Sequence, residues 1–531
     1  MISNDASRMY LIGGRPPAPD LPPDVVGGKA AQLVRLDRLG LKVPPALALT
    51  TALSRDYMKR GALPDGFRNL LAGAIRQLEE ATGSTLGGHR PLFVSVRSSP
   101  PVSMPGMLNT VLNVGSTEES IRALLRHTGN PWLAWDVYRR FIRSLAASLS
   151  RDSLAALDRL AAEHTGRAGV ETIQDFDPIA LRDLARASAA ALATTTGHPI
   201  PSDPLAQIIP AVEAVLQSWN SPSAREYRRL NRVDEGTGTG VLIQAMVFGN
   251  SSYRSGSGVG FTRNPATGDR EMYVDFLFNA QGEDVVAGRL PVIAADLLPS
   301  ALPEVWAELR AAQTALEREF HDMQDFEFTV NEGQLFFLQT RRGKRTPWAA
   351  LRIAADLVHE GILEPAAALE QLEPLDLDAI AHVVAKPGPE DVPLARATPA
   401  SVGVASGTIV LDAKRAQRCT PHQSVILVRP DLTTDDVGGL AAAAGVLTRF
   451  GGRTSHAAVV ARQLGKVCLV GCADLRVDEA ARVCSIGTTL LREGDEITLD
   501  GESGFVYGGR VPIVTERPEE DLALVGRWRA S

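Results

Sequence analysis

Apolar and polar residues alternate on both sides of Asn331-Glu332-Gly333, and the alternation predicts a hairpin with strands over 325–330 and 334–341. A three-residue loop ending in Gly is the expected connection. Period two turns Phe326, Phe328 and Val330 toward a core. Asp325 and Glu327 take the other face, where Gln339 and Arg341 join them if Val330 pairs with Gln334. Two carboxylates, an amide and a guanidinium on one face suit Mg²⁺ with a polyphosphate, because Mg²⁺ takes hard oxygen ligands. The same pattern also describes a solvated strand face with a cross-strand salt bridge.

Residues 92–99 alternate too, with Phe93, Ser95 and Arg97 on one face and Leu92, Val94, Val96 and Ser98 on the other. Arg97 then ends a largely apolar strand, where an unpaired guanidinium is costly. It requires an anion, either a structural carboxylate or a phosphate. The Pro/Gly-punctuated residues 101–110 that follow read as a lid-like loop. Residues 238–250 read as a strand of alternating type, and 256–268 as a Gly-rich loop, a short strand and a turn. Its GxGxG is a weak signal.

Helical periodicity governs other stretches. Residues 130–143 form an amphipathic helix whose Trp132, Trp135 and Tyr138 face a core, and 150–220 are Ala-rich and helical. A helix runs from Trp348 to Glu360, and a short polar helix closes the chain. Gly27-Gly28 ahead of Lys29 opens another helix. That start offers backbone N–H groups and one cation to phosphates, though the spacing is not Walker A, and a surface lysine is the plainer interpretation.

The apolar residues 441–448 end like a buried strand, and Ala457 to Leu464 favour a helix. Gly451-Gly452 between them marks a tight loop. Thr454 or Ser455 is the expected N-cap, which sets His456 in the first helical turn. Unpaired N–H groups and the helix dipole favour an anion there. A histidine in that place is able to carry a phosphoryl group; in an ordinary strand-loop-helix it is a capping residue.

Residues 451–462, GGRTSHAAVVAR, resemble the phosphohistidine segment of pyruvate phosphate dikinase and phosphoenolpyruvate synthase. A second resemblance runs along the chain in order. Its segments are Gly27-Gly28-Lys29, Val94 to Ser99, Met104-Pro-Gly-Met107, Gln244 to Asn250, Phe261-Thr-Arg-Asn-Pro265, Asn279 to Gly288, Met323 to Thr329 and Leu338 to Thr346. These look like the ATP-grasp domain of the dikinase rather than the synthase.

The resemblance implies a multidomain protein of α/β and α+β class. An ATP-grasp nucleotide-binding domain would span 1–346 and a helical, Pro-rich linker 347–395. A swivelling β/β/α phosphohistidine domain would span 396–512, with a tail at 513–531. It further implies that Lys29 and Arg97 bind ATP phosphates and that Asp325 and Glu327 hold Mg²⁺. Gln244, Gln339 and Arg341 would complete the nucleotide site, and His456 would be the nucleophile, with Arg97 and Arg341 stabilising the transferring charge. Attack at the β-phosphate would release AMP; inorganic phosphate would then leave as pyrophosphate and phospho-His456 would remain. The family continues into a (β/α)₈ barrel for pyruvate and phosphoenolpyruvate. No such strand-helix series follows here, so the expected acceptor is pyruvate on a separate subunit, or another small molecule. Asn109 stands where the family usually has Asp, removing a charge beside the loop, and Arg342 stands where Asn is usual. Two other classes remain: a non-catalytic ATP-binding regulator, and an ATP-grasp kinase or ligase acting on a different small molecule, which would release ADP and dispense with His456.

Composition narrows the setting. The 531 residues suffice for three or four domains, and the net charge of −7 argues against nucleic-acid or anionic-membrane partners. The first residues lack a signal-peptide pattern, and no run of about 18 apolar residues occurs. The four cysteines all lie beyond residue 418, and Cys468-x-x-x-Cys472 lacks zinc partners at a suitable spacing. Reduced cysteines and a cytoplasmic location are expected.

Overall fold

The computed structural model describes residues 9–104, 107–286, 297–420, 422–432, 436–452 and 455–530, without the side chains of Leu230, His456, Ala457, Val459 and Gln463. Pro105 and Gly106 of the lid-like loop, residues 287–288 of the ATP-grasp resemblance, and Arg453 and Thr454 beside His456 lie outside the described residues. The chain divides into two compact units. One is Met1–Ser251 with Phe336–Thr340, and the other is Ser252–Leu335 with Arg341–Ser531.

In the first unit, among the described residues, five antiparallel strands form one sheet in the order Met9–Ile12, Ala46–Leu49, Gly240–Ala245, Val94–Ser99, Thr110–Val114. The strand read as alternating near 238–250 is Gly240–Ala245 and is buried at every position. Val94–Ser99 is buried everywhere except at Arg97, which is half-buried. Both strands are interior to the sheet and buried on both faces, so period-two polarity is lost. The Pro131–Leu149 helix supplies Trp135, Tyr138 and Phe141 to the core, as its pattern predicts. It also buries Asp136. Burial pushes that carboxyl up, but the guanidiniums of Arg140 and Arg139 outweigh burial and hold it below its ordinary value. Asn109 is a tie rather than a missing charge. Its Nδ2 donates to the carbonyls of Ser148 and Ala214, at 3.3 and 3.4 Å, a role an aspartate cannot fill.

In the second unit, a sheet runs in the order Gln334–Arg342, Gln324–Asn331, Gly256–Phe261, Tyr273–Phe278, with Phe336–Thr340 of its outer strand grouped with the first unit. The hairpin turn has two residues, not three. Glu332 and Gly333 have φ of 51° and 81°, the pair of positive values that a type I′ turn demands. The segment read as a Gly-rich loop is itself a strand, Gly256–Phe261. A Cβ on Gly256, Gly258 or Gly260 would collide with the ring of Phe276, Phe328 or Phe326 respectively. The GxGxG pattern therefore reflects aromatic packing on a strand face. Beyond it, Arg263 is fully buried and donates to the Glu317 carboxylate at 3.0 and 2.9 Å, to Glu360 at 2.9 Å and to Asp356 at 3.3 Å. That cluster ties the sheet to the Pro303–Phe320 and Pro347–His359 helices.

The same unit contains an eight-stranded sheet among the described residues. Its order is Pro393–Arg396, Phe505–Gly508, Glu496–Asp500, Val404–Val410, Val425–Arg429, Gly445–Thr448, Val467–Val470, Thr398–Ser401. The four strands from Val404–Val410 to Val467–Val470 are parallel, with apolar clusters on either side. The run at 441–448 is part helix, Val437–Ala442, and part strand, Gly445–Thr448. The chain reaches this sheet from His382–Ala385 and leaves it through Ile513–Glu516, and these two strands pair antiparallel. The Glu519–Ala530 helix then packs Leu522, Val525 and Trp528 into the cluster built on the Pro347–His359 helix.

All four cysteines are free, and burial pushes Cys468 up to about 12 and Cys472 and Cys484 up to about 11. A thiol-specific disulfide reagent at neutral pH is expected to modify Cys419 quickly in the native protein and all four after denaturation, as read by the thiol count over time. Gly258→Ala places a methyl against the Phe328 ring and the Asp275 carbonyl. It is expected to cost about 1–3 kcal/mol, seen as a lower thermal midpoint.

Candidate functional site

Arg97 sits one strand away from Gln244, which pairs with Ser95 across the sheet. The Gln244 amide nitrogen donates to the carbonyl of Pro44 at 3.4 Å, so its oxygen faces Arg97. Arg97 donates Nη1 to Gln244 Oε1 and Nη2 to Gln339 Oε1, both at 3.4 Å. Three of the residues read from sequence thus meet in the first unit. Neutral amide oxygens thus orient the guanidinium from two strands.

Lys29 is the second residue of the Gly28–Arg38 helix. The backbone N–H of Gly28 donates to Pro100 O at 3.0 Å and that of Ala30 to Ser99 Oγ at 3.2 Å. These bonds pin the helix start to the end of the Arg97 strand. Gly27, with φ of 83°, lies so close to the Ser99 carbonyl that a Cβ there would overlap it. Gly27 therefore serves close backbone approach, and the N–H groups of Gly28 and Ala30, read from sequence as offered to phosphates, are bonded within the protein.

In the second unit Arg341 Nε donates to Asp325 Oδ2 at 2.8 Å. Asp325 is buried, and burial raises its carboxyl above the ordinary range. Arg341 opposes that rise and the neighbouring Glu327 charge adds to it. Asp325 and Glu327 are alternate residues of one strand and therefore share a face. Two carboxylates on one face, with the Glu327 charge adding to the rise at Asp325, favour a cation beside them. Among the described residues no set of three or more His, Cys, Asp or Glu could hold a metal. A cation here would take two protein ligands and fill its shell with phosphate and water oxygens, which is how Mg²⁺ is usually held. Lys344 belongs to this group as well. Burial lowers its ammonium, Arg341 lowers it further, and Asp325 opposes both. It lies inside the 338–346 segment of the resemblance, but nothing in the hairpin's period predicts it, because it follows the strand's last residue, Arg342.

His456 is the first residue of the His456–Gln463 helix, with Ser455 as N-cap accepting from the Ala458 N–H at 3.4 Å. The Ser455 N–H donates to Gly452 O at 3.0 Å, closing the loop before it. The preceding strand, Gly445–Thr448, is wholly buried between parallel neighbours. The helix start thus lies beyond the carboxyl ends of parallel strands, the usual ligand position of such sheets.

Residues 62–292 match the family described as pyruvate phosphate dikinase, AMP/ATP-binding domain, and residues 421–504 match the PEP-utilising enzyme, mobile domain. The chain thus resembles two different domain families in succession. It is 39% identical over 520 residues to the pyruvate, phosphate dikinase of Rhizobium meliloti (strain 1021), an alignment covering 95% of the chain and 58% of that relative. It is 41% identical over 511 residues to pyruvate, phosphate dikinase 2 of Zea mays, with 95% and 58% covered. The chloroplastic pyruvate, phosphate dikinase 1 of Zea mays is 39% identical over 534 residues, with 99% and 56% covered. The chain therefore spans less than two thirds of the length of these dikinases. The resemblance in the first domain is to an ATP binder, and His456 and its helix fall within the mobile-domain match. No described helix is long and apolar enough to cross a membrane.

Ser455→Ala removes the N-cap of the His456 helix. The expected result is a loss of about 0.5–2 kcal/mol in local stability, read as faster hydrogen exchange at the Ala458 amide.

Proposed function

We propose that the protein is a phosphotransferase of the dikinase type, in which His456 takes its phosphoryl group from ATP. Lys29 and Arg97 bind ATP phosphates, with Gln244 and Gln339 orienting Arg97. Asp325 and Glu327 hold Mg²⁺, which would neutralise polyphosphate charge when bound. Arg341 keeps Asp325 ionised and stabilises the charge of the transferring group. An imidazole nitrogen of His456 attacks the β-phosphorus; the bond to the α-phosphate oxygen breaks and AMP leaves. The pyrophosphoryl-histidine then gives its terminal phosphoryl group to inorganic phosphate, forming pyrophosphate and phospho-His456. Pyruvate or another small molecule, held outside these two domains on a separate subunit or elsewhere, accepts the remaining group. A cytoplasmic location fits the reduced cysteines and the ATP supply.

The observation that carries this is the pairing of Arg341 with a buried Asp325 whose carboxyl is raised, beside Glu327, in a chain whose later match contains the phosphohistidine segment. The test is autophosphorylation with ATP labelled separately at the β and γ positions. Acid-labile β label on wild type, release of AMP, loss of γ label on adding phosphate, and no label on His456→Ala are expected. Asp325→Asn is expected to slow labelling by more than the roughly 10- to 100-fold typical of losing an outer-shell metal partner. Release of ADP with activity surviving in His456→Ala would favour a ligase instead. Nucleotide binding with no label on any form would favour a regulator.

A further inference from the structure

One row of the second unit's four-stranded sheet links the carboxylate pair to the histidine helix. Asp325, Phe261 and Tyr273 are register partners on three adjacent strands. The Phe261 and Tyr273 rings meet edge-on with centroids 6.3 Å apart. From that row two contacts reach the eight-stranded sheet and its helix. Tyr273 Oη donates to the carbonyl of Pro399 at 2.7 Å. The Arg462 guanidinium lies over the Phe261 ring, 5.4 Å from its centroid. Arg462 is itself 2% exposed, and its Nη1 donates to the carbonyl of Ala400 at 2.7 Å. Pro399 and Ala400 are consecutive residues of the edge strand Thr398–Ser401. Arg462 stands on the helix that begins at His456, six residues and about 9 Å along its axis.

These contacts join segments that pack loosely beside them. A cavity of about 520 Å³ adjoins the row, with Tyr273 and Pro399 in its wall along with Glu271, Arg396 and Glu502. The contact is thus made at a few points rather than over a continuous apolar face. A desolvated guanidinium on an aromatic face is among the stronger non-covalent contacts available to so small a patch. Arg462 is also fixed at both ends of its reach, by the Ala400 carbonyl on its own sheet and by the Phe261 ring opposite.

We propose that Phe261, Tyr273 and Arg462 form a latch that seats the His456 helix on the strand row of Asp325 while ATP donates its phosphoryl group. They are positioning residues and touch no reacting atom. The latch rests on the phosphotransfer function argued above. It makes the rate of His456 phosphorylation depend on groups remote from nucleotide and metal, and it leaves nucleotide affinity to the site residues themselves.

The experiment compares wild type with Tyr273→Phe and Phe261→Leu. Three quantities are read for each: the labelling rate of His456 at saturating β-labelled Mg·ATP, the ATP dissociation constant, and the rate of spontaneous hydrolysis of phospho-His456. Tyr273→Phe removes a single hydroxyl and keeps the ring packing. It is expected to slow labelling about two- to tenfold, the worth of one net hydrogen bond, with ATP affinity, hydrolysis rate and thermal midpoint unchanged. Phe261→Leu is expected to slow labelling further by removing the aromatic face, and its thermal midpoint reports whether it folds. Labelling of Tyr273→Phe at the wild-type rate overturns the latch while leaving the phosphotransfer function standing. A wild type that takes no label overturns both.

Discussion

A buried carboxylate has to be offset by its surroundings, and Asp325 imposes that constraint on the second unit. Left alone in a low-dielectric interior, an ionised aspartate costs several kcal/mol. Arg341 meets it at 2.8 Å, and Arg341 is held charged mainly by that same carboxylate. The offset works only if the strand beneath does not move. The Thr262 N–H donates to the Gln324 carbonyl at 2.9 Å and the Gln324 N–H to Thr262 Oγ1 at 3.0 Å, locking the residue before Asp325 to the next strand. One residue further, Arg263 anchors that strand in a cage of three carboxylates. The phenylalanine rings seated on the alternate glycines close the opposite face. The aromatic and ionic packing around the sheet serves to fix the position of one charge.

What the sequence disclosed, and what it hid, follow from whether a feature is local. The hairpin was legible because its period, its Gly and its paired acidic residues all lie within one short stretch. Its turn was misjudged by one residue, since Asn331 belongs to the strand and Glu332 adopts the left-handed conformation that composition alone assigned to Gly333. The helix start at His456 was legible for the same reason: Gly pair, hydroxyl cap and apolar helix follow one another directly. The strand Gly240–Ala245 was read as alternating, whereas it is buried on both faces and has no polar side to mark it. The glycines of residues 256–260 could be understood only once the aromatic residues of two neighbouring strands were placed over them. Lys344 and Arg462 lay in plain view within motif strings. Their roles depend on partners distant in sequence, and no local pattern announces such partners.

Charge is distributed differently in the two units. Around Arg97 two neutral amide oxygens orient the guanidinium. Around Asp325 opposite charges already meet, so a ligand has to exchange one set of interactions for another. Asn109 belongs to neither environment. Its amide holds helix ends together, and its departure from aspartate leaves the charges of both groups intact.

The strand pair His382–Ala385 and Ile513–Glu516 has a consequence for how such a chain can be assembled. Its partners run from His382 with Glu516 to Ala385 with Ile513, and the Lys386 N–H closes on the Pro512 carbonyl at 2.8 Å. Everything from residue 387 to 511 is therefore strung between two points about 5 Å apart, the spacing of neighbouring strands. A segment with adjoining ends behaves as a cassette. Its removal or exchange asks only for a short turn across the gap, and the length of what is inserted adds little to the entropy of closing it. The segment between the two strands can on this account be gained, lost or replaced as a whole by recombination at two neighbouring points, without redrawing the helices on either side.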